Sequence, residues 1–270
     1  MNCPICSAPL VSLSDARFGY CRADKLVVNL AYQPVRYEED YFNKEYKNQY
    51  GRTYTADRQA ILERNRIRFE QVRPFFSAKS HPQLLEVGSA AGYFLKIMQE
   101  EEFTVRGWEI SDTMAKYANA RGLKTTRQDF LKGAKAHAKL KKQPYDVLAM
   151  FYVLEHLADQ KEVWQHFQRL VRPGGFLLIA LPSAAGPTFH FHRKKWYETH
   201  PVDHAVDYTP AGLKAVGARF GFTLRAAFSE GKHPSRFPLG GLSFLQRLYM
   251  KALDRSAISD TIFAVLEHTP

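Results

Sequence analysis

Cysteine is scarce in this 270-residue chain: there are three, all within the first 21 residues. Thiols so confined exclude a disulfide framework spread along the chain and point to a metal knuckle. Long apolar runs are also missing. No window approaches the roughly 18 uninterrupted apolar residues of a membrane span, and the start, Met1-Asn2-Cys3-Pro4, lacks the basic and apolar regions of a secretory leader. A cytoplasmic protein without a membrane span is expected. No internal repeat and no low-complexity tract is present.

What remains is an ordinary globular balance, 45% hydrophobic and 24% charged. The length allows one large α/β domain with a small appendage, or two modest domains. The formal charge of +11 favours anionic partners without choosing among nucleotide-linked small molecules, nucleic acid and anionic membrane. The basic residues are dispersed: Arg58, Arg64, Arg66, Arg68 and Arg73 share one stretch, and Lys132 to Lys142 read as a solvated loop.

Residues 1–35 show little helical periodicity. Residues 36–76 hold a tyrosine-rich segment (Tyr37, Tyr41, Phe42, Tyr46, Tyr50), expected as a lid, and a helix from about Thr55 to Val72. Ile61, Leu62, Phe69 and Val72 lie near helical spacing there, the arginines fall on the opposite side, and Pro74 is the stop. From Gln83 the pattern alternates strand and helix. Strands are expected at Gln83–Val87, Thr104–Glu109, Lys124–Arg127, Tyr145–Phe151, Phe176–Leu181, Phe222–Phe228 and Thr261–Glu267. Such alternation builds a parallel sheet with helices on both faces. Residues 77–270 therefore read as one α/β domain, with a substrate loop at about 183–210 and a helical insertion at about 238–255.

The strongest chemical signal is Glu86-Val87-Gly88-Ser89-Ala90-Ala91-Gly92-Tyr93-Phe94, a strand feeding a small-residue turn that opens a helix. Small residues admit a ligand close to the backbone, and amides at a helix start bind polar ligand atoms. Glu109 ends the next strand, where a carboxylate can accept both hydroxyls of a ribose. The turn lacks a full G-x-G-x-x-G, because Ala90 stands at the second glycine. A purely structural turn is the competing reading, and Glu109 speaks against it.

These residues resemble motif I and the ribose-binding acid of class I S-adenosylmethionine-dependent methyltransferases. Gln128-Asp129-Phe130 is similar to that family's adenine-side motif, Phe151 to Leu157 to its Glu-His segment, and Leu170 to Gly175 to the turn before its fifth strand. The resemblance implies a Rossmann-like, doubly wound seven-stranded α/β sheet with the last strand antiparallel. It implies S-adenosylmethionine held by Glu86, Gly88, Ser89, Ala90, Gly92, Tyr93, Glu109, Ile110, Asp129, Phe130, Phe151 and Tyr152. Ser89-Ala90 replaces the more usual Cys-Gly, which is tolerable provided Ala90 avoids positive φ.

Methyl transfer needs an aligned acceptor and, for some acceptors, a base. Histidine suits that role. His156 follows the fourth strand of the alternation, although Glu155 and His156 could equally begin the next helix and bond locally. His200 and His204 lie in the aromatic, imidazole-rich loop, with His200 ahead of His204 as base. Tyr197 would orient an acceptor hydroxyl or simply pack. A metal at the histidines is disfavoured, since no H-E-x-x-H is present. Cys3-x-x-Cys6 and Cys21-x-x-Asp24 form a degenerate zinc-ribbon-like knuckle, similar to the one that opens related sugar C-methyltransferases. A structural zinc on Cys3, Cys6, Cys21 and Asp24 and a vestigial ribbon are both open.

The expected function is methylation of a small polar or anionic metabolite, a sugar or nucleotide-sugar among the candidates. Two alternatives are RNA or protein methylation using the basic surface, and a non-catalytic zinc-ribbon interaction protein. No Asn-Pro-Pro-Tyr-like segment supports a nucleic-acid acceptor, and the intact Glu86, Gly88, Gly92, Glu109 and Asp129 oppose a degenerate domain.

Overall fold

A computed structural model describes residues 1–35, 51, 53–76, 81–230, 244, 248, 251–252 and 256–270. The tyrosine-rich segment, and nearly all of the insertion expected at about 238–255, lie outside the described residues. The chain divides into two compact units. One comprises Val35–Met150 and Arg169–Leu177; the other comprises Met1–Pro34, Phe151–Gln168 and Leu178–Pro270.

The first unit opens with helix α1 (Arg58–Val72), which buries Ile61, Asn65, Arg68, Phe69 and Val72. Arg68 thus lies on the inward side, not opposite it with the other arginines, and donates to Asn65. Strand β4 (Gln83–Val87) follows, then α2 (Tyr93–Glu100), β5 (Thr104–Glu109), α3 (Asp112–Asn119), β6 (Thr125–Arg127), α4 (Phe130–Lys139) and β7 (Tyr145–Phe151). β4 runs parallel to β5 and β7, and β5 parallel to β6. Leu84, Leu85, Val147, Leu148, Ala149 and Met150 are buried on these central strands, as near-continuous apolar runs of a parallel sheet must be.

Ser111 caps α3 by accepting the amide of Met114, the chemistry that its sequence promises. The Lys132–Lys142 run departs from the loop reading. Asp129 caps α4 by accepting the amide of Lys132, and Phe130, Ala134 and His137 are buried. These residues at i, i+4 and i+7 form an apolar stripe, which the lysines between them obscure.

In the second unit lie β1 (Val11–Ser12), β2 (Phe18–Cys21), β3 (Leu26–Asn29), most of α5 (Gln160–Leu170), the end of β8 (Val171–Pro182) from Leu178 on, α6 (Pro187–Phe191), α7 (Arg193–Thr199), β9 (Val206–Tyr208), α8 (Pro210–Arg219), β10 (Phe222–Glu230) and β11 (Thr261–His268). The seven-stranded sheet has the order β10-β11-β8-β7-β4-β5-β6. Its last strand in sequence, β11, is antiparallel to β10. That is the Rossmann-like architecture expected. A second, four-stranded sheet has the order β1-β2-β3-β9. The substrate loop read at 183–210 is therefore structured: it holds α6 and α7, and lends β9 to the small N-terminal sheet. Among the described residues, no helix is long and apolar enough to cross a membrane.

Candidate functional site

In the first unit, the β4–α2 junction turns on Gly88 at φ +70°, Ala90 at φ +45° and Gly92 at φ +76°. A Cβ on Gly92 would meet the movable Cδ1 of Leu123 at 2.6 Å, so it is the left-handed φ that favours glycine there. Ala90 does not avoid positive φ as expected. Its amide donates to Glu109 Oε2 at 2.7 Å, and this bond holds the turn in the left-handed region despite the Cβ.

The amides of Gly88 and Ser89 both donate to the Trp108 carbonyl, and that of Gly92 to the Ser89 carbonyl. These inner amides are thus occupied within the turn. Glu109 accepts Ala90 N–H on Oε2 and Ser111 N–H on Oε1, each at 2.7 Å. A carboxylate has about four lone-pair sites, so both oxygens retain capacity for ribose hydroxyls. Burial raises its pKa, against the backbone donors of Ser111, Ala90 and Ile110.

Glu86 Oε2 and Ser89 Oγ are buried with no hydrogen-bond partner among the described residues. Burial lifts the Glu86 pKa well above the usual carboxylate range, with Arg68 opposing and Glu109 adding to the shift. Orphaned polar atoms beside a left-handed turn are what a polar ligand would satisfy, so the residues fit S-adenosylmethionine. Ile110 stays 42% exposed beside Glu109, a flat apolar face of the kind a nucleobase covers. Asp129 is occupied as the α4 cap, and Phe130 is buried. Tyr93 is buried and stacks on Tyr54 at 5.5 Å. Sequence spacing puts Arg68 on the outer side of its helix and does not single out Tyr54. A buried arginine in register with Ile61, Asn65 and Val72 was the available signal for the first.

The second unit gathers the histidines. Leu154–His156 form a 3-10 turn after β7, so Glu155 and His156 do not begin α5. His156 Nδ1 lies 3.1 Å from Asp203 Oδ2, and its side chain is 21% exposed. Burial works against its charged form, but Asp203 and Glu155 prevail and the pKa is raised. His200 Nε2 lies 2.7 Å from Asp207 Oδ2, and both side chains are only 3% exposed. His204 stands between them, with ring centroids 4.7 Å from His156 and 5.5 Å from His200. Burial pushes its pKa down to about 4, and burial lifts that of Glu155 to about 7.

Tyr197 is buried against Phe18, Val27, Ala184 and Phe189, and its hydroxyl accepts from Ser14. Phe151 packs on Phe263. Tyr152 adopts φ +57°, its amide bonding the Ala180 carbonyl and its hydroxyl donating to Glu230.

The knuckle is built from two matched turns: Cys3–Cys6 followed by Ser7 at φ +61°, and Cys21–Asp24 followed by Lys25 at φ +50°. Cys6 Sγ and Cys21 Sγ are 3.6 Å apart, and Cys3 Sγ donates to Asp24 Oδ2 at 3.2 Å. One ligand atom from each of Cys3, Cys6, Cys21 and Asp24 lies within 4.8 Å of the others. Arg219 holds the second Asp24 oxygen at 3.1 Å. Burial works against the Asp24 carboxylate, but Cys6, Cys3 and Arg219 keep its pKa low.

A family model described as a methyltransferase domain matches residues 54–227. A ubiquinone biosynthesis O-methyltransferase of Vibrio atlanticus is 29% identical over 100 residues, 36% of this chain and 42% of that protein. One of Klebsiella pneumoniae is 32% identical over 106 residues, 38% of this chain and 44% of that protein. The matched stretch thus spans less than half of those curated relatives. Among solved structures, a SAM-dependent methyltransferase from Archaeoglobus fulgidus superposes with a TM-score of 0.57 at 16% identity, covering 84% of this chain and all of that one. Magnesium protoporphyrin IX methyltransferase from Synechocystis, with bound SAH, gives 0.54 at 12% identity over 86% of this chain and 97% of that one. At such identities these two establish the fold.

Proposed function

Because the chain belongs to the methyltransferase-domain family, we propose that it is an S-adenosylmethionine-dependent methyltransferase acting on a hydroxyl of a small polar metabolite, a sugar or nucleotide-sugar among the candidates. The observation that carries the donor side is the bond from Ala90 N–H to Glu109. It sets Glu109 directly against the small-residue turn, which supports a ribose-binding role for that carboxylate. Glu86 and Ser89, with unpartnered buried oxygens, hold the amino-acid end; Glu109 takes the ribose, with Ile110 beside it. Gly88, Gly92, Tyr93, Asp129, Phe130, Phe151 and Tyr152 complete the cofactor set as the family resemblance assigns it.

Bound S-adenosylmethionine would supply the methyl group, the acceptor oxygen bonding to its carbon as the carbon–sulfur bond breaks to leave S-adenosylhomocysteine, and the acceptor's proton would pass to an imidazole beside it. Oxygen as the acceptor atom draws on the O-methyltransferase names of the curated relatives. The acceptor side is carried by the imidazole group of His156, His204 and His200, with Tyr197 packed behind. His156 takes the place of His200 at its head, because its side chain is 21% exposed against 3%, and the more accessible ring is the better placed to meet an acceptor. With radiolabelled donor and a panel of hydroxylated metabolites, His156→Ala is expected to lower turnover about a hundredfold or more while donor affinity holds. Unchanged turnover would remove His156 from the acceptor side.

At the knuckle, a structural zinc on Cys3, Cys6, Cys21 and Asp24 matches a Cys3Asp donor set, with Arg219 turning Asp24 toward the ion. Chelation is expected to lower the melting temperature, and a melt indifferent to chelator would favour the vestigial ribbon.

A further inference from the structure

Glu155, His156 and His204 form a second closed group of donors. One ligand atom from each lies within 4.8 Å of the other two. Two of the three are orphaned: Glu155 Oε2 and His204 Nδ1 are buried with no hydrogen-bond partner among the described residues. Native structures rarely leave buried polar atoms so, and a buried carboxylate in that state is costly.

His156 is oriented by its neighbour. Asp203 Oδ2, 3.1 Å from Nδ1, accepts only, so Nδ1 carries the hydrogen and Nε2 presents a lone pair. A carboxylate behind an imidazole is the arrangement that orients metal-bound histidines. Three carboxylates, Glu155, Asp203 and Asp207, stand here with three imidazoles, and the charges acting on Glu155 and His204 come from these same residues. One cation would answer both orphaned atoms and the excess of negative charge.

We propose that Glu155, His156 and His204 bind one divalent transition-metal ion, with Asp203 fixing His156 and an open coordination position left for the acceptor oxygen. Two imidazoles and one carboxylate are the His2Glu set of zinc sites that keep such a position. The neighbouring triple of His200, His204 and Asp207 is the weaker cage, because His200 Nε2 and Asp207 Oδ2 already satisfy each other at 2.7 Å. An ion at Glu155 would lower the pKa of a bound hydroxyl, favouring oxygen acceptors. Only this last step rests on the methyltransferase reading; ion binding does not.

The test is a cobalt(II) titration of the full chain after stripping with chelator, followed by absorption. Ions held by the cysteines carry a thiolate charge-transfer band in the near ultraviolet. The expected result is one further equivalent with visible bands and no thiolate band. His204→Ala and Glu155→Gln each weaken that component about tenfold or more, Asp203→Asn weakens it about 10–100-fold, and His200→Gln leaves it in place. Should His204→Ala fail to fold, Glu155→Gln and Asp203→Asn carry the test. A wild-type titration without the thiolate-free component would overturn the proposal. So would its survival in Glu155→Gln with loss in His200→Gln. Calorimetry with S-adenosylmethionine on the same samples separates the two readings: donor binding without cobalt binding sinks only the metal site, and cobalt binding without donor binding sinks only the methyltransferase.

Discussion

Ala90 carries a Cβ where the backbone is left-handed, at φ +45°. For an L-residue that conformation costs roughly 1–2 kcal/mol, and the bond to Glu109 at 2.7 Å offsets it. Ala90→Gly is therefore expected to leave donor binding intact and to hold or raise the melting temperature, since glycine adopts that φ without strain; a clear drop would show that the methyl group packs usefully. Glu86 makes a different trade. Burial raises its folded pKa well above the usual range, so the fold keeps a proton that the unfolded chain has already released. The stability this lends is complete below the ordinary carboxylate pKa and declines as pH rises toward the folded value. Each factor of ten in that protonation equilibrium is about 1.4 kcal/mol, a few degrees of melting temperature for a chain of this length. Melts between pH 5 and pH 8 should fall more steeply for wild type than for Glu86→Gln, while the variant binds S-adenosylmethionine less well. Parallel melting curves would contradict the assignment of Glu86 as a strained ligand group.

Elements of the sheet were legible because their cues are local. Gln83–Val87 and Tyr145–Phe151 are short apolar runs, and Ser111 announces the start of α3 as a cap does. The Lys132–Lys142 run misled because charge density masks a stripe of only Phe130, Ala134 and His137. β9 was invisible for another reason: Val206–Tyr208 pairs with β3, far away in sequence, and no window contains both. Long-range contact also explains the 3-10 turn bearing Glu155 and His156. Gln160 donates to the Leu154 and Leu157 carbonyls and accepts from Tyr208, whose hydroxyl in turn receives Trp164. This buried chain fixes the turn that presents the imidazole group. Tyr208→Phe leaves two buried groups short of a partner, at about 1–3 kcal/mol. A lower melting temperature and reduced turnover with unchanged donor affinity are expected; an unaltered melt would show that the network is incidental.

At the scale of the whole molecule, the formal charge of +11 favours anionic partners and says nothing of the chemistry. The strand–turn–helix proposed for the donor could be read residue by residue, because Gly88, Gly92 and Glu109 follow the pattern of nucleoside-binding junctions. The acceptor half could not. Which of His156, His200 and His204 stays exposed is settled by packing around Phe18, Trp196 and the Asp203 and Asp207 carboxylates, and spacing carries no trace of that. The account stands or falls on the donor. Isothermal titration calorimetry with S-adenosylmethionine should give saturable, one-to-one binding for the wild-type chain and binding weakened by about tenfold or more for Glu109→Ala, the loss of charge-assisted hydrogen bonds worth roughly 1.5–3 kcal/mol. No heat from the wild type at millimolar donor, or equal affinity in Glu109→Ala, would contradict it.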